Sequence, residues 1–283
     1  MCRETQGAAP KVERMSGPAR LEFRNVTMHF AAGGGEKTFT ALSDVSFSVR
    51  DGEVVSLIGP SGCGKSTLLN IGSGLASPSA GTAFVDGERV AGPNAHVAFM
   101  LQKDLLLPWR TVAQNVMFGV EIQGVPPAER RARAQALLEA FKLAEFAGRY
   151  PYQLSGGMRQ RVALARTLAV DPSVLLLDEP FSAVDAQTRM VLQRDLAQTL
   201  KHAGKTALLI THDLLEAVTL SDRVLVMSRR PGRIIDEIEI DLPHRENPIA
   251  RRQDAKVNDY VGRLMERLDI NEIATSSLEN DGS

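Results

Sequence analysis

The chain has 283 residues, a formal net charge of −1, and is 43% hydrophobic and 24% charged. That length is ample for a large core, and the near-neutral balance excludes the global basic field of a nucleic-acid-binding protein. No apolar run approaches the roughly 20 residues that cross a bilayer, and the only two cysteines, Cys2 and Cys63, do not make a disulfide framework.

Residues 1–20 are polar, contain Gly and Pro, and lack an apolar leader core, so they read as the flexible tail of a cytoplasmic protein. Residues 21 to about 50 read as two strands around the Gly-rich segment Ala31 to Lys37, the first running from Leu21 to Phe30. Val54-Val55-Ser56-Leu57-Ile58 is a short apolar strand. It leads into Gly59-Pro60-Ser61-Gly62-Cys63-Gly64-Lys65-Ser66-Thr67 and then Leu68-Leu69-Asn70-Ile71. Gly59 to Ser66 fits G-x-x-x-x-G-K-[ST] in the strand–loop–helix setting that a phosphate-binding loop requires. The glycines let backbone amides converge on phosphates, and the following helix turns its positive end toward them. Lys65 supplies charge to the β- and γ-phosphates, and the Ser66 hydroxyl is suited to magnesium.

The apolar stretch Val97 to Leu101 leads into Gln102. From about 104 to 170 the pattern is helical, with one helix predicted over Ala128 to Phe146 and another beginning at Ser155. Ser155 is a good N-cap, Gly156 and Gly157 leave amides bare, and Val162, Ala165, Leu168 and Ala169 share one face. This is a second helix start suited to an anion. Val174-Leu175-Leu176-Leu177 then reads as a strand buried on both faces. It ends in Asp178 and Glu179, where open α/β sheets bind ligands. Further expectations are a long helix from Asp185 to Lys201, a strand Ala207 to Thr211 ending at His212, and a closing strand Ile234 to Ile240. A last helix is expected over Ile249 to Ile270, with disorder from Ala274 onward. The predicted class is α/β: a parallel-rich, doubly wound core with an N-terminal antiparallel β subdomain and an inserted helical subdomain, spanning 21–245. A tail precedes it and a C-terminal helix and tail follow over 246–283.

Leu154-Ser155-Gly156-Gly157-Met158-Arg159-Gln160-Arg161, together with the phosphate loop, resembles the signature of the ABC transporter ATPases, LSGGQ or a close variant. The resemblance covers roughly residues 20 to 245. It implies the fold of a P-loop ABC ATPase, with ATP and Mg2+ as ligands. Asp178 is then the magnesium carboxylate, acting through water, and Glu179 the general base. Gln102 corresponds to the glutamine loop that touches magnesium, and His212 to the switch histidine that senses the γ-phosphate. Ser182-Ala183-Val184-Asp185 resembles the dimer-contact loop, with Val184 a departure from the usual Leu and Asp185 close to the nucleotide. The family stacks an aromatic on adenine, a role for Phe30, with Phe39 as the alternative. Cys63 occupies a loop position where the family often carries Cys, and its alkylation is expected to block turnover, with ATP protecting.

One phosphate loop and one signature in the chain imply a head-to-tail homodimer or a pseudo-symmetric heterodimer, because in the family ATP lies between the loop of one subunit and the signature of the other. Phe99 to Val112, which includes Leu105, Leu106, Leu107 and Trp109, and the stretch Ser228 to Ile234 are similar to importers of nitrate, taurine and alkanesulfonates. Other partners then follow: an integral membrane permease docking near Trp109, a periplasmic solute-binding protein acting through the permease, and no nucleic acid. The expected location is peripheral, on the cytoplasmic face of the inner membrane. An exporter subunit, a soluble ABC ATPase and a phosphate-loop kinase are the alternatives; Ser155 to Gln160 and His212 argue against the kinase.

Overall fold

The computed structural model describes residues 18–31, 38–182 and 184–268. Two long strands open the fold, β1 (Ala19–Ala31) and β2 (Thr38–Arg50), paired antiparallel. The first strand takes in Ala19 and Arg20, whose guanidinium bonds Asp51 and Asp86, each at 2.8 Å. The rest of the expected N-terminal tail, the Gly-rich segment between the strands, and residues from 269 on lie outside the described residues. Next come β3 (Val54–Ile58), α1 (Lys65–Gly72), β4 (Ala80–Val85), β5 (Glu88–Arg89) and β6 (Val97–Met100). Helices α2 (Val112–Ile122), α3 (Pro127–Ala140) and α4 (Gly156–Ala169) follow, then β7 (Val174–Asp178), α5 (Ala186–His202) and β8 (Thr206–Ile210). The chain continues through α6 (Leu214–Leu220), β9 (Arg223–Met227), β10 (Ile234–Glu239), α7 (Pro248–Arg251) and α8 (Lys256–Arg267).

The strands form two sheets. One is antiparallel, in the order β2-β1-β4-β5; the other has the order β10-β9-β3-β8-β7-β6, parallel except for the edge strand β10. Alternation along β7 shows how the larger sheet is covered. Val174 and Leu176 point toward α1 and the antiparallel sheet, into a core with Phe23, Leu42 and Leu68, whereas Leu175 and Leu177 point into a core with Val162, Leu168 and Leu196 of α4 and α5. Burial on both faces explains why β3, β7 and β8 read as unbroken apolar runs. A third core joins Val224 and Val226 of β9 to Val218 of α6 and Val257 and Leu264 of α8.

Two predicted helices are broken. Instead of one helix over 128–146, α3 ends at Ala140 with Phe141 as its C-cap, Lys142 takes φ 57, and a single 3-10 turn follows over Ala144–Phe146. This left-handed step turns the chain so that Phe141 and Leu143 both enter the core. The helix expected over 249–270 is divided into α7 and α8. Asp254 accepts from the Lys256 amide at 2.9 Å between them, and the Arg251 guanidinium is buried on the carbonyls of Leu242, Pro243 and Ser221. Those bonds, with a further one to the Thr219 carbonyl, anchor α7 to the chain around it.

Candidate active site

A cleft of about 430 Å3 opens between the antiparallel sheet and the C-terminal ends of the parallel strands. It is lined by Gly59, Ser61, Gly62, Gly64, Lys65, Ser66 and Thr67 along its floor, by Phe30, Phe39 and Ala41 at one end, and by Glu179 and His212 at the other, with Arg230 on the side. Gly64 shows why the loop needs glycine. Its φ is 110, and a Cβ there would lie 2.5 Å from a Leu42 methyl carbon, so any other residue is strained and also clashes. The Lys65 ammonium donates to the Gly59 carbonyl at 2.7 Å and the Pro60 carbonyl at 3.1 Å, which folds the loop over the start of α1.

Asp178, at the end of β7, lies close enough to Ser66 for the hydroxyl to act on its carboxyl. Burial pushes the Asp178 carboxyl above its usual range and the neighbouring Glu179 adds to this, while the Ser66 hydroxyl and Lys65 pull the other way. A carboxylate and a hydroxyl side by side are two hard oxygen donors, a set that fits magnesium completed by phosphate oxygens and water. Among the described residues no group of three or more His, Cys, Asp and Glu side chains could hold a metal without such help.

Glu179 lies just beyond β7, with φ 46. Its amide donates to Ile210 at 3.0 Å and its carbonyl accepts from the Ser182 amide and hydroxyl at 3.2 and 3.0 Å. These bonds hold a conformation that only a few per cent of non-glycine residues adopt. One carboxylate oxygen, Oε2, accepts from Gln102 Nε2 at 3.0 Å and lies 3.2 Å from His212 Nδ1. So Gln102, Glu179 and His212, from three separate strand ends, meet at one atom. As placed, the Gln102 amide nitrogen faces Glu179.

Phe30 and Phe39 are directly opposed across β1 and β2 and stack with ring centroids 5.6 Å apart. They are 37% and 38% exposed, so the cleft wall contains both aromatic candidates as a pair. The Cys63 side chain is 1% exposed and packs in the core with Leu42 and Met227, so a thiol reagent reaches it only when the loop opens. Ser155 caps α4 by accepting from the Met158 amide at 3.3 Å, and Asp185 caps α5 by accepting from Thr188 at 3.0 Å. Ser155, Gly156, Gly157 and Asp185 do not line the cleft of their own chain. Gly156 instead borders a second hollow, with Gln102, Arg159 and Ser182. In the Leu105 to Trp109 segment, Leu106 packs in the core, whereas Leu105 is exposed and Trp109 is 71% exposed.

Sequence reasoning passed over two polar groups. Arg230 bonds the phosphate loop; it sat in a stretch read only for its similarity to one branch of a family. Glu216, 3% exposed, lies under the His212 turn. It accepts from Gln193 Nε2 at 3.2 Å, and Gln193 in turn accepts from Arg252 at 2.7 Å. Burial, with Asp213 nearby, pushes its carboxyl up to about 8, against the hydrogen bonds from Gln193 and Thr211 and the charge of Arg189. Its place one helical turn past His212 was the available signal.

Comparisons with known proteins agree with the geometry. The sequence profile of the family described as ABC transporter matches residues 42–182. An uncharacterized ABC transporter ATP-binding protein of Methanocaldococcus jannaschii is 45% identical over 239 residues, covering 84% of this chain and 88% of that protein. Proteins named taurine import ATP-binding protein TauB are 43% identical in Roseobacter denitrificans, covering 78% of this chain and 82% of that one, and 46% identical in Yersinia pestis, covering 72% and 80%. Among solved structures, the dimeric post-hydrolysis state of the ATP-binding cassette MJ0796, bound to ADP and Pi, superposes with a TM-score of 0.70 at 32% identity, covering 78% of this chain and 99% of that one. The chain belongs to the ABC transporter family and has the fold of its ATPase cassettes.

Proposed function

We propose that this chain is the ATP-hydrolysing subunit of an ABC importer, which energises uptake of a small solute such as taurine, an alkanesulfonate or nitrate through a membrane permease. The observation that carries the ATPase reading is a cleft lined by the phosphate loop, Glu179 and His212, with Asp178 beside Ser66 and Gln102 bonded to Glu179. Identities of 43% and 46% to proteins named for taurine import support the importer branch.

The chemistry follows from the residues. The triphosphate rests on the amides of Gly62 to Thr67, and Lys65 turns from the loop carbonyls to the β- and γ-phosphates. Ser66 and Asp178 would hold magnesium, which when bound would neutralise phosphate charge. Glu179 has Oε2 engaged by Gln102 and His212, which leaves Oε1 to take a proton from the attacking water. The water oxygen bonds to the γ-phosphorus, the bond to the β–γ bridging oxygen breaks, and ADP and phosphate leave. Gln102 would also supply its side-chain oxygen to the metal, and His212 reports the γ-phosphate to Glu179.

Ser155, Gly156 and Gly157 of a second copy close over the γ-phosphate, with Asp185 at the same dimer seam. Their absence from the cleft of their own chain and the dimeric state of the structural neighbour support this arrangement. Closure moves the α2–α4 subdomain. The exposed Leu105 and Trp109 on that subdomain dock a cytoplasmic segment of the permease. The chain works as a peripheral subunit on the cytoplasmic face of the inner membrane; no helix among the described residues is long and apolar enough to cross it. A periplasmic binding protein delivers the solute, so the solute does not touch this chain.

The test is uptake of labelled taurine, an alkanesulfonate, nitrate and a pyrimidine vitamin precursor in cells lacking this gene, restored with wild type or Glu179→Gln. One solute rescued by wild type alone is the expected result. Rescue of none would turn the assignment toward export.

A further inference from the structure

Arg230 lies outside every motif by which the cleft was read, yet it touches two of its walls. Its Nη2 and Nε donate to the Gly62 carbonyl at 3.0 and 3.2 Å. Its guanidinium carbon lies 4.9 Å from the Phe39 ring centroid, within cation–π range. Phe39 in turn stacks on Phe30. One planar cation therefore fastens the phosphate loop to the aromatic pair, and its remaining nitrogen, Nη1, has no hydrogen-bond partner among the described residues.

The turn that carries Arg230 is fixed against the cleft. It joins β9 to β10, and the Ser228 hydroxyl bonds the Pro231 carbonyl and accepts from the Arg233 amide, each at 3.0 Å. The Gly232 amide donates to the Ala41 carbonyl at 2.9 Å, and the Gly232 carbonyl accepts from Ser43 at 3.0 Å. A Cβ on Gly232 would lie 2.0 Å from the Cys63 carbonyl, so the turn sits directly on the phosphate loop and only glycine fits there. Arg230 thus projects from a braced element, between the end of the cleft that takes phosphates and the end that offers flat apolar faces.

We propose that Arg230 is a nucleotide-positioning residue, which holds the Phe39 ring as a platform for the base and ties that platform to the phosphate loop. This rests on the reading of the cleft as an ATP site. A guanidinium over one face of Phe39 restrains the ring before ligand arrives, which lowers the ordering loss on binding. A planar fork suits this role and an ammonium does not, since only the fork stacks on a ring while donating two bonds to one carbonyl.

The experiment is the ATP dissociation constant and the kcat of the full chain for wild type, Arg230→Ala, Arg230→Lys, Phe39→Leu and the Arg230→Ala/Phe39→Leu double variant, with a melting temperature for each. Arg230→Ala is expected to weaken ATP binding about tenfold and Arg230→Lys at least threefold, as loss of a cation–π contact and a charge-assisted bond implies. The kcat should stay within about twofold and the melting temperature within about 2 °C. Since Arg230 acts through Phe39, the double variant should bind no more than about twofold weaker than the weaker single variant. Arg230→Ala binding within twofold of wild type, or losses that multiply in the double variant, would overturn the proposal. A wild-type chain that bound no ATP would overturn the ATP reading, and this inference with it.

Discussion

Glu179 carries more of the account than any other residue, and its surroundings say how it works. Left-handed backbone at φ 46, held by bonds from Ser182 and to Ile210, aims the carboxylate across the cleft, and Gln102 and His212 then occupy one of its two oxygens. An isosteric amide keeps the shape and loses the base. Glu179→Gln is therefore expected to bind ATP within a few-fold of wild type while steady-state turnover falls about 10²- to 10⁴-fold, the usual size of a general-base contribution; turnover near normal would refute the assignment. Lys65 is poised differently, since its two carbonyl partners must be exchanged for phosphate oxygens. Lys65→Ala should weaken ATP binding at least tenfold, measured by calorimetry, because a charged hydrogen-bond donor is worth about 1.5–3 kcal/mol.

The turn from β8 into α6 presents His212 to the cleft and buries Glu216 beneath it. The folded chain keeps a proton on Glu216 that the unfolded chain releases above the ordinary value of 4.5. The stability given by the neutral carboxyl is thus full below that value and declines as pH rises toward about 8. Glu216→Gln imitates the protonated form. Its melting temperature should match wild type near pH 5 and exceed it by at least ~2 °C at pH 8; parallel curves would show that Glu216 is ionised when buried. The same element shows what sequence discloses. Strands β3, β7 and β8 were legible because burial on both faces leaves an unbroken apolar run, and the phosphate-loop residues because one short motif carries its own geometry. The helices that break at Lys142 and between Arg251 and Lys256 were not legible. Their helical pattern continues through the break, and the turn is imposed by distant partners: the core that admits Leu143 and the carbonyls of Leu242 and Ser221. Burial of Cys63 was hidden for the same reason, as the loop motif does not say which side chain faces inward.

Across the whole molecule, Ser155, Gly156 and Gly157 do not line the cleft of their own chain, as expected if ATP is enclosed between two copies of this chain. In the proposed arrangement, closing the pair swings the α2–α4 subdomain, and with it the exposed Trp109, so a permease contact at Trp109 should respond to nucleotide. Trp109→Ala is expected to reduce solute uptake at least fivefold while ATP hydrolysis by the isolated chain stays within twofold, since Trp side chains at interface centres commonly contribute 2 kcal/mol or more; equal loss of both activities would place Trp109 in folding. The most direct measurement is the solution mass of Glu179→Gln by light scattering, with and without ATP and magnesium. The expected mass is 30.7 kDa without nucleotide and twice that with it, reverting when Ser155→Arg is added to the same chain. A chain that binds ATP and keeps its single-copy mass at saturation would contradict it.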